Sequence, residues 1–368
     1  MKLLTHKAGL LATLIFFLLS NTISAKKGGV EKTRNINETY TVSANHKIEI
    51  NNKFGEVKIN SWDKSEVAVK INISVKDGNE KRAQNLLDRI KIDIKNTANQ
   101  LTIRTIIDGN NKNLKIKAKG DEHLSIDFEI SVPANNLLSV KNSFGPVIID
   151  KMTNNVMLDL KFGGATIGDL NGDQNSLKFE FADPVVINSM KGGNINLKFS
   201  KLEMINSQNV VLASEMSSSK FEMVKKGQFN LKFGSLDIGE LQELILNSQM
   251  SAVKIGSIHI KANIKNKYGS LKISKILKSL ESIEIDAEFS PIKLLFEKEG
   301  SYQIDAHSKM AGLKLPPNSI QEEKVYKESN SIINNEKEFK GRIGTKKGNP
   351  SKVKIQSSFG EVKLMLTD

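Results

Sequence analysis

Four histidines, His46, His123, His259 and His307, stand beyond the first 25 residues. No two fall within a helical turn of each other. Strand alternation between Ile258 and Ile260 aims His259 outward, so the spacing predicts neither a metal pair nor a catalytic base. Asp169 and Asp173 flank Gly172 in DLNGD, a corner whose carboxylates have the oxygen chemistry that a hard cation takes. The same residue types are those that tight turns demand, and a turn is the expectation here. Polysaccharide-cleaving solenoids work through clustered aspartates or through aspartate with basic residues around Ca²⁺. This chain has no Asp-Asp pair, no Gly-His-Gly, no Gly-x-Ser-x-Gly and no phosphate-cradling glycine loop. With no Cys, disulfides, thiolate metal sites and the acylated cysteine of a bacterial lipoprotein are all excluded. Trp62, the single tryptophan, has polar neighbours in NSWDKSEVAVKI and reads as filling for a local core more readily than as a sugar platform. No catalytic, cofactor-binding or metal-ligating residue is predicted.

What the chain does carry is a repeat. KFGEVKI (53–59), SFGPVII (143–149), KFGGATI (161–167), KFGSLDI (232–238), KYGSLKI (267–273) and SFGEVKL (358–364) share an aromatic, a small residue and two alternating aliphatics. Thinner copies lie at 198–204, 249–255, 288–294 and 309–315. Anchored on Phe144, Phe162, Phe181, Phe199, Met216, Phe233, Met250, Tyr268, Phe289 and Met310, the gaps are 18, 19, 18, 17, 17, 17, 18, 21 and 21. A sustained period near 18 marks stacked units that bury their apolar faces only against neighbours. Within a unit the apolar period is two, hence strand. Aliphatics stand four residues before the anchors (Leu158, Leu177, Ile195, Leu212) and three and five after (Leu236 and Ile238, Leu271 and Ile273). Phe181 breaks the spacing by one residue, and Met216 meets polar Ser219 where an aliphatic is expected. The small residue after the anchors, Gly145, Gly163, Gly234, Gly269 or a Ser or Ala in their place, suits a bend between two short strands.

The expectation is therefore an all-β fold, a single-stranded parallel β-helix of about 10 laps of 17–21 residues, with the anchors as an internal ladder. An antiparallel meander is the alternative. The residue before each anchor separates the two, because from Lys161 to Lys309 it reads Lys, Glu, Lys, Glu, Lys, Gln, Lys, Glu, Lys. Alternating charge is what in-register parallel stacking selects, since like charges directly opposite are unfavourable.

The ends differ. Residues 1–25 carry Lys2 and Lys7, an apolar run from Ala8 to Leu19 and Ile23-Ser24-Ala25, which together read as a signal peptide too short to span a bilayer. Residues 33–135 form an N-terminal β-rich cap region with one motif copy and one helix, begun by Asn79-Glu80 and striped with Ala83, Leu86, Leu87 and Ile90. The repeats occupy 136–317, a polar loop excursion 318–350, and a final strand repeat 351–368 closes the chain. Of 54 basic residues two lie in the leader, so 52 face 41 acidic ones, a net +11 that is nearly all Lys. Such a balance favours anionic neighbours, but the lysines are scattered along the chain and read as a solvated surface. Nucleic acid is not an expected partner, with few Arg and no reader motif.

NKFGEVKINSWDKSEVAVKINI, then a short helix and stacked FG-x-[VLI]-x-[VLI] copies, resembles the bacterial putative-adhesin families of exported β-helix proteins. These are adhesin-like domains of unknown function, auto-transporter adhesin heads among them. The resemblance implies an exported, non-catalytic protein that offers a binding or scaffolding surface, periplasmic or associated with the cell surface or outer membrane. The partner expected is glycan, lipopolysaccharide or envelope protein; the motif search predicts no cofactor, and no stretch of the mature chain is apolar enough to be a transmembrane segment. The alternative is a carbohydrate-active β-helix enzyme, a lyase or hydrolase. Two features depart from the families' pattern: the long tract at 318–350 and the lack of a recognisable C-terminal sorting segment.

Overall fold

The computed structural model describes residues 29–108, 123–317, 320–330, 335–346 and 348–367, so the leader assignment at 1–25 lies outside the described residues. Among the described residues there are one helix and 22 strands, the strands joined in one sheet. Among the described residues no helix is long and apolar enough to cross a membrane.

Parallel, in-register pairing builds the middle of the chain. β8 (Leu137–Ser143) lies beside β10 (Val156–Leu170) with Val140 opposite Leu158. β10 lies beside β11 (Asn175–Lys198) with Leu158 opposite Leu177, and β11 beside β12 (Lys201–Glu215) with Ile195 opposite Leu212. β12 then pairs with the long β13 (Ser218–Lys267), placing Leu212 opposite Phe229. The aliphatics four residues before successive anchors thus stack on one another as a buried column. A meander would have reversed every second strand, and this pairing excludes it. The extra residue after Phe181 is absorbed as a register shift, with Gly163 opposite Ala182 but Ala165 opposite Val185. Ser219 takes its aliphatic's place in the interior, 3% exposed.

The anchors themselves are not inside. All twelve, from Phe54 to Phe359, sit in the left-handed region with φ between 48 and 66°. Eleven are exposed and Phe54 is half-buried. The expected internal ladder is overturned for a geometric reason. A residue in this conformation reverses the alternation of the strand, so the column at −4 and −2 resumes at +3 and +5 and the residue between points outward. The anchor's own N–H continues the ladder, donating to the residue before the next anchor: Phe144 to the carbonyl of Lys161 and Met216 to that of Lys232, each at 2.9 Å.

The small residue that follows is glycine, serine or, after Phe181 and Met310, alanine. At Gly145 an added Cβ would come within 2.0 Å of the carbonyl oxygen of Gly55 in the adjacent lap. Where serine stands instead, its hydroxyl stitches laps together. Ser217 Oγ accepts from the N–H of Ser200 at 2.9 Å and donates to the carbonyl of Glu215 at 2.8 Å, and Ser200, Ser251 and Ser290 repeat the arrangement.

The first motif copy joins the stack from a distance. β2 (Lys47–Lys53) and β3 (Val57–Trp62) flank Phe54 and pair in parallel with β8 and with β9 (Val147–Met152). Antiparallel strands surround them. β1 (Val30–Thr41) pairs with β4 (Glu66–Asp77), β4 with β7 (His123–Pro133), and β5 (Ile90–Asn96) with β6 (Gln100–Ile107). The helix α1 (Glu80–Arg89) starts where its cap predicts, since Asn79 Oδ1 accepts from the N–H of Arg82 at 3.1 Å. It buries Ala83 and Leu87.

The C-terminal region departs most from expectation. The final copy does not close the stack. β21 (Ser351–Ser358) lies between β15 (Ser282–Glu288) and β17 (Ser301–Lys309), parallel to both. β22 (Val362–Leu366) likewise lies between β16 (Ile292–Phe296) and β18 (Leu313–Lys314). The tract 318–350, expected as a polar loop, holds β19 (Ile320–Asn330) and β20 (Asn335–Gly344), an antiparallel pair laid along β17. Phe339 and Ile343 are buried from β20, alternating with polar residues that hide the strand signal in composition.

Candidate functional site

Residues one, three and five before each anchor face outward from the same strand segments, so their rows form one continuous face. Over the laps ending at Phe199 to Phe359 that face is grooved. One cavity of about 1090 Å³ runs across Asn194, Val211, Gln228, Ile245, Asn263 and Glu284. A second of about 620 Å³ adjoins it along the same strands, across Asn196, Ala213, Asn230, Asn247 and Lys265. In the first cavity exposed Val211 and Ile245 alternate with Asn194, Gln228 and Asn263, and in the second Asn247 Nδ2 donates to Asn230 Oδ1 of the neighbouring lap at 3.1 Å.

Ion pairs border the groove. On one side Glu243 lies 3.2 Å from both Lys226 and Lys261. Those two ammonium groups hold its carboxyl below the ordinary 4.5, Lys226 first. On the other runs the row of alternating charge. Lys161 meets Glu180 at 3.0 Å, Lys198 meets Glu215 at 3.9 Å and Lys267 meets Glu288 at 2.8 Å. The register is the one that the alternation demands, with Glu215 opposite both Lys198 and Lys232.

The anchors form the next row. Phe54, Phe144, Phe162, Phe181 and Phe199 stack with centroids 4.8–5.3 Å apart and planes within 12°. Tyr268, Phe289 and Phe359 stack in the same way. Each ring covers its neighbour's face, so the surface shows ring edges, not the open faces that a stacking sugar needs.

The other residues of chemical interest do not converge. Asp169 accepts from Asn188 Nδ2 and Ser189 Oγ, both at 2.7 Å, while Asp173 pairs with Lys191 at 3.0 Å, so the DLNGD corner is tied up in its own hydrogen bonds. His46 is buried between Ser43 and the carbonyl of Thr97. His259 and His307 lie 3.9 and 3.8 Å from Glu240 and Glu336 on different laps. Trp62 is half-buried, donates Nε1–H to the carbonyl of Glu66 at 2.8 Å and carries Lys64 over its ring. Among the described residues no group of three or more acidic or histidine side chains could hold a metal ion. A general acid needs a carboxyl raised towards neutrality. Among the described residues every carboxyl whose titration is displaced is displaced downward, by lysine at Glu180, Glu203, Glu243 and Glu361 and by hydrogen bonding at Asp169.

Reading the sequence alone missed the groove, because the residues that line it are unremarkable in any single lap and come together only when laps stack. No curated protein matches the chain. Among solved structures it is similar to one described as a putative adhesin from Parabacteroides distasonis, at 12% identity and a TM-score of 0.38, covering 72% of this chain and 98% of that one. It is also similar to a putative cell adhesion protein from Clostridium sporogenes, at 10% identity and a TM-score of 0.22, covering 91% and 100%. A putative lipid binding protein from Parabacteroides distasonis is a third, at 11% identity and a TM-score of 0.30, covering 93% and 98%. The Toastrack DUF4097 profile matches residues 45–364, and the chain belongs to that family.

Proposed function

We propose that this is an exported, adhesin-like protein of the bacterial envelope that binds without catalysis, using the grooved face as its contact surface. The repeat is read as a solenoid of about 10 laps with residues 33–135 at its N-terminal end. The observation that carries the reading is the groove itself: an extended trough crossing several laps, lined by amides and by exposed Val211 and Ile245, and edged by carboxylates paired with lysines. Such a surface suits an extended partner with many hydroxyl or amide groups, a glycan, a lipopolysaccharide or a peptide segment of an envelope protein, held by many weak contacts. Export is supported by the basic start and short apolar run of residues 1–25.

Two measurements test the proposal. Titration of the mature protein against a panel of soluble glycans is expected to give binding that Asn230→Asp/Asn247→Asp weakens, with no release of reducing ends and no rise in unsaturated-uronate absorbance. Product formation would favour the lyase or hydrolase reading instead. Protease shaving of intact cells carrying a tag after Asp368 separates surface display from a periplasmic place.

A further inference from the structure

Beyond the bend lies a second outward row, four residues after each anchor. Earlier in the row Glu203 stands opposite Lys220 and Asp237 precedes Lys254, but its last five members, Lys254, Lys272, Lys293, Lys363 and Lys314, are all basic and, though far apart in the chain, stand directly opposite one another. Lys254 pairs with Lys272, Lys272 with Lys293, Lys293 with Lys363, and Lys363 with Lys314. At about 4.8 Å per strand this is a line of five ammonium groups about 19 Å long. Lys314 is paired with Glu361, on whose carboxyl Lys363 also acts, whereas Lys254, Lys272 and Lys293 have no ion-pair partner among the described residues. Four are exposed and Lys293 is half-exposed. The row before the anchors alternates sign at the same spacing. Here the repulsion between stacked like charges is left standing.

We infer that this lysine ladder is a binding site for a linear acidic polysaccharide, a chain with one carboxylate per sugar laid along the stack. The width of the line argues for a chain. Its neighbours two residues earlier are Ala252, Ser270, Pro291 and Gly312, with Glu361 the one charge, and Lys275 nearby is already paired with Glu297 at 3.4 Å. A membrane would call for positive charge spread in two dimensions, as in polybasic surfaces. A single file of cations at strand spacing matches a polymer whose repeat is one sugar. The site lies on a different face from the groove and stands or falls independently of it.

The test uses the mature chain and polygalacturonate, with uncharged dextran and phosphatidylglycerol vesicles as the other arms. Polygalacturonate is expected to bind, dextran not to bind, and the affinity to fall as salt rises, because each carboxylate bound displaces a counterion. The variant Lys272→Glu/Lys363→Glu gives the ladder the alternation seen in the row before the anchors. It is therefore expected to keep or raise the thermal midpoint while weakening polygalacturonate binding at least about tenfold. Lys141→Glu/Lys225→Glu makes the same change in net charge away from the ladder and is expected to bind nearly as the parent does. Parent-like binding by the ladder variant, an equal loss in the control, or binding to vesicles without binding to polygalacturonate would each overturn the assignment.

Discussion

The rings of Phe144 and Phe162 lie 5.0 Å apart and 1° from parallel, yet each is 46% exposed. Two constraints meet at Phe162: a backbone at φ 56°, which side chains tolerate poorly, and a ring packed between two others. Asparagine accepts that backbone and a β-branched residue does not. Phe162→Val is therefore expected to lose about 1–2 kcal/mol more than Phe162→Asn, although valine is the more apolar replacement. Urea denaturation of the two variants checks the order, and equal losses would show that the ring alone matters.

Gly145 and Gly78 make a contrasting pair. A Cβ on Gly145 meets the carbonyl oxygen of Gly55 at 2.0 Å, while at Gly78 nothing lies within 4 Å. Gly145→Ala must push two laps apart and is expected to cost more than about 2 kcal/mol. Gly78→Ala is expected to be neutral or to stabilise by about 0.4–1 kcal/mol through the unfolded chain. Thermal midpoints of the two variants, measured together, decide it.

Glu215→Lys puts three lysines in consecutive register with Lys198 and Lys232. The expected loss is about 0.2–1 kcal/mol per like-charged contact, largest at low salt. A variant as stable as its parent in low salt would mean that the row contributes nothing to register.

Acid should unfold the protein through its paired carboxylates. Lysine neighbours hold Glu180, Glu203, Glu243 and Glu361 below the ordinary 4.5. The folded state therefore binds protons less readily than the unfolded one, and the stability gained is complete above 4.5 and lost as pH falls below it. The denaturant midpoint is expected to hold steady from neutral pH down to about pH 5 and then to decline. High salt should flatten the decline, because these groups are solvated.

Much of the stack could be read from residue types. The period near 18, the buried column from Leu158 to Phe229 and the Lys–Glu alternation each follow from burial or charge in neighbouring laps, so each leaves a mark at a fixed spacing. The position of the anchors did not follow, because an aromatic at an even offset from Leu158 looks buried until the backbone reversal is known. The signal was present nonetheless: the aliphatics fall at even offsets before the anchor and at odd offsets after it. The lysine ladder was hidden for a related reason. Lys254 and Lys314 belong to different stretches of chain, and only stacking turns dispersed lysines into a line. Nothing local marks Ser351–Ser358 as an inserted strand, since its neighbours on both sides come from earlier sequence.

That insertion bears on the order of assembly. During synthesis the laps up to Glu288 can stack as they emerge, each on the one before. The open edge of β15 then has to wait, unpaired, until residues 351–358 are made, while β17 and the β19–β20 hairpin form from the chain between. Arrival of β21 satisfies two edges in one event, so a chain lacking it would keep both open and be prone to edge-to-edge association. Residues 351–358 thus act as a keystone, holding β15 and β17 together from a distant stretch of chain.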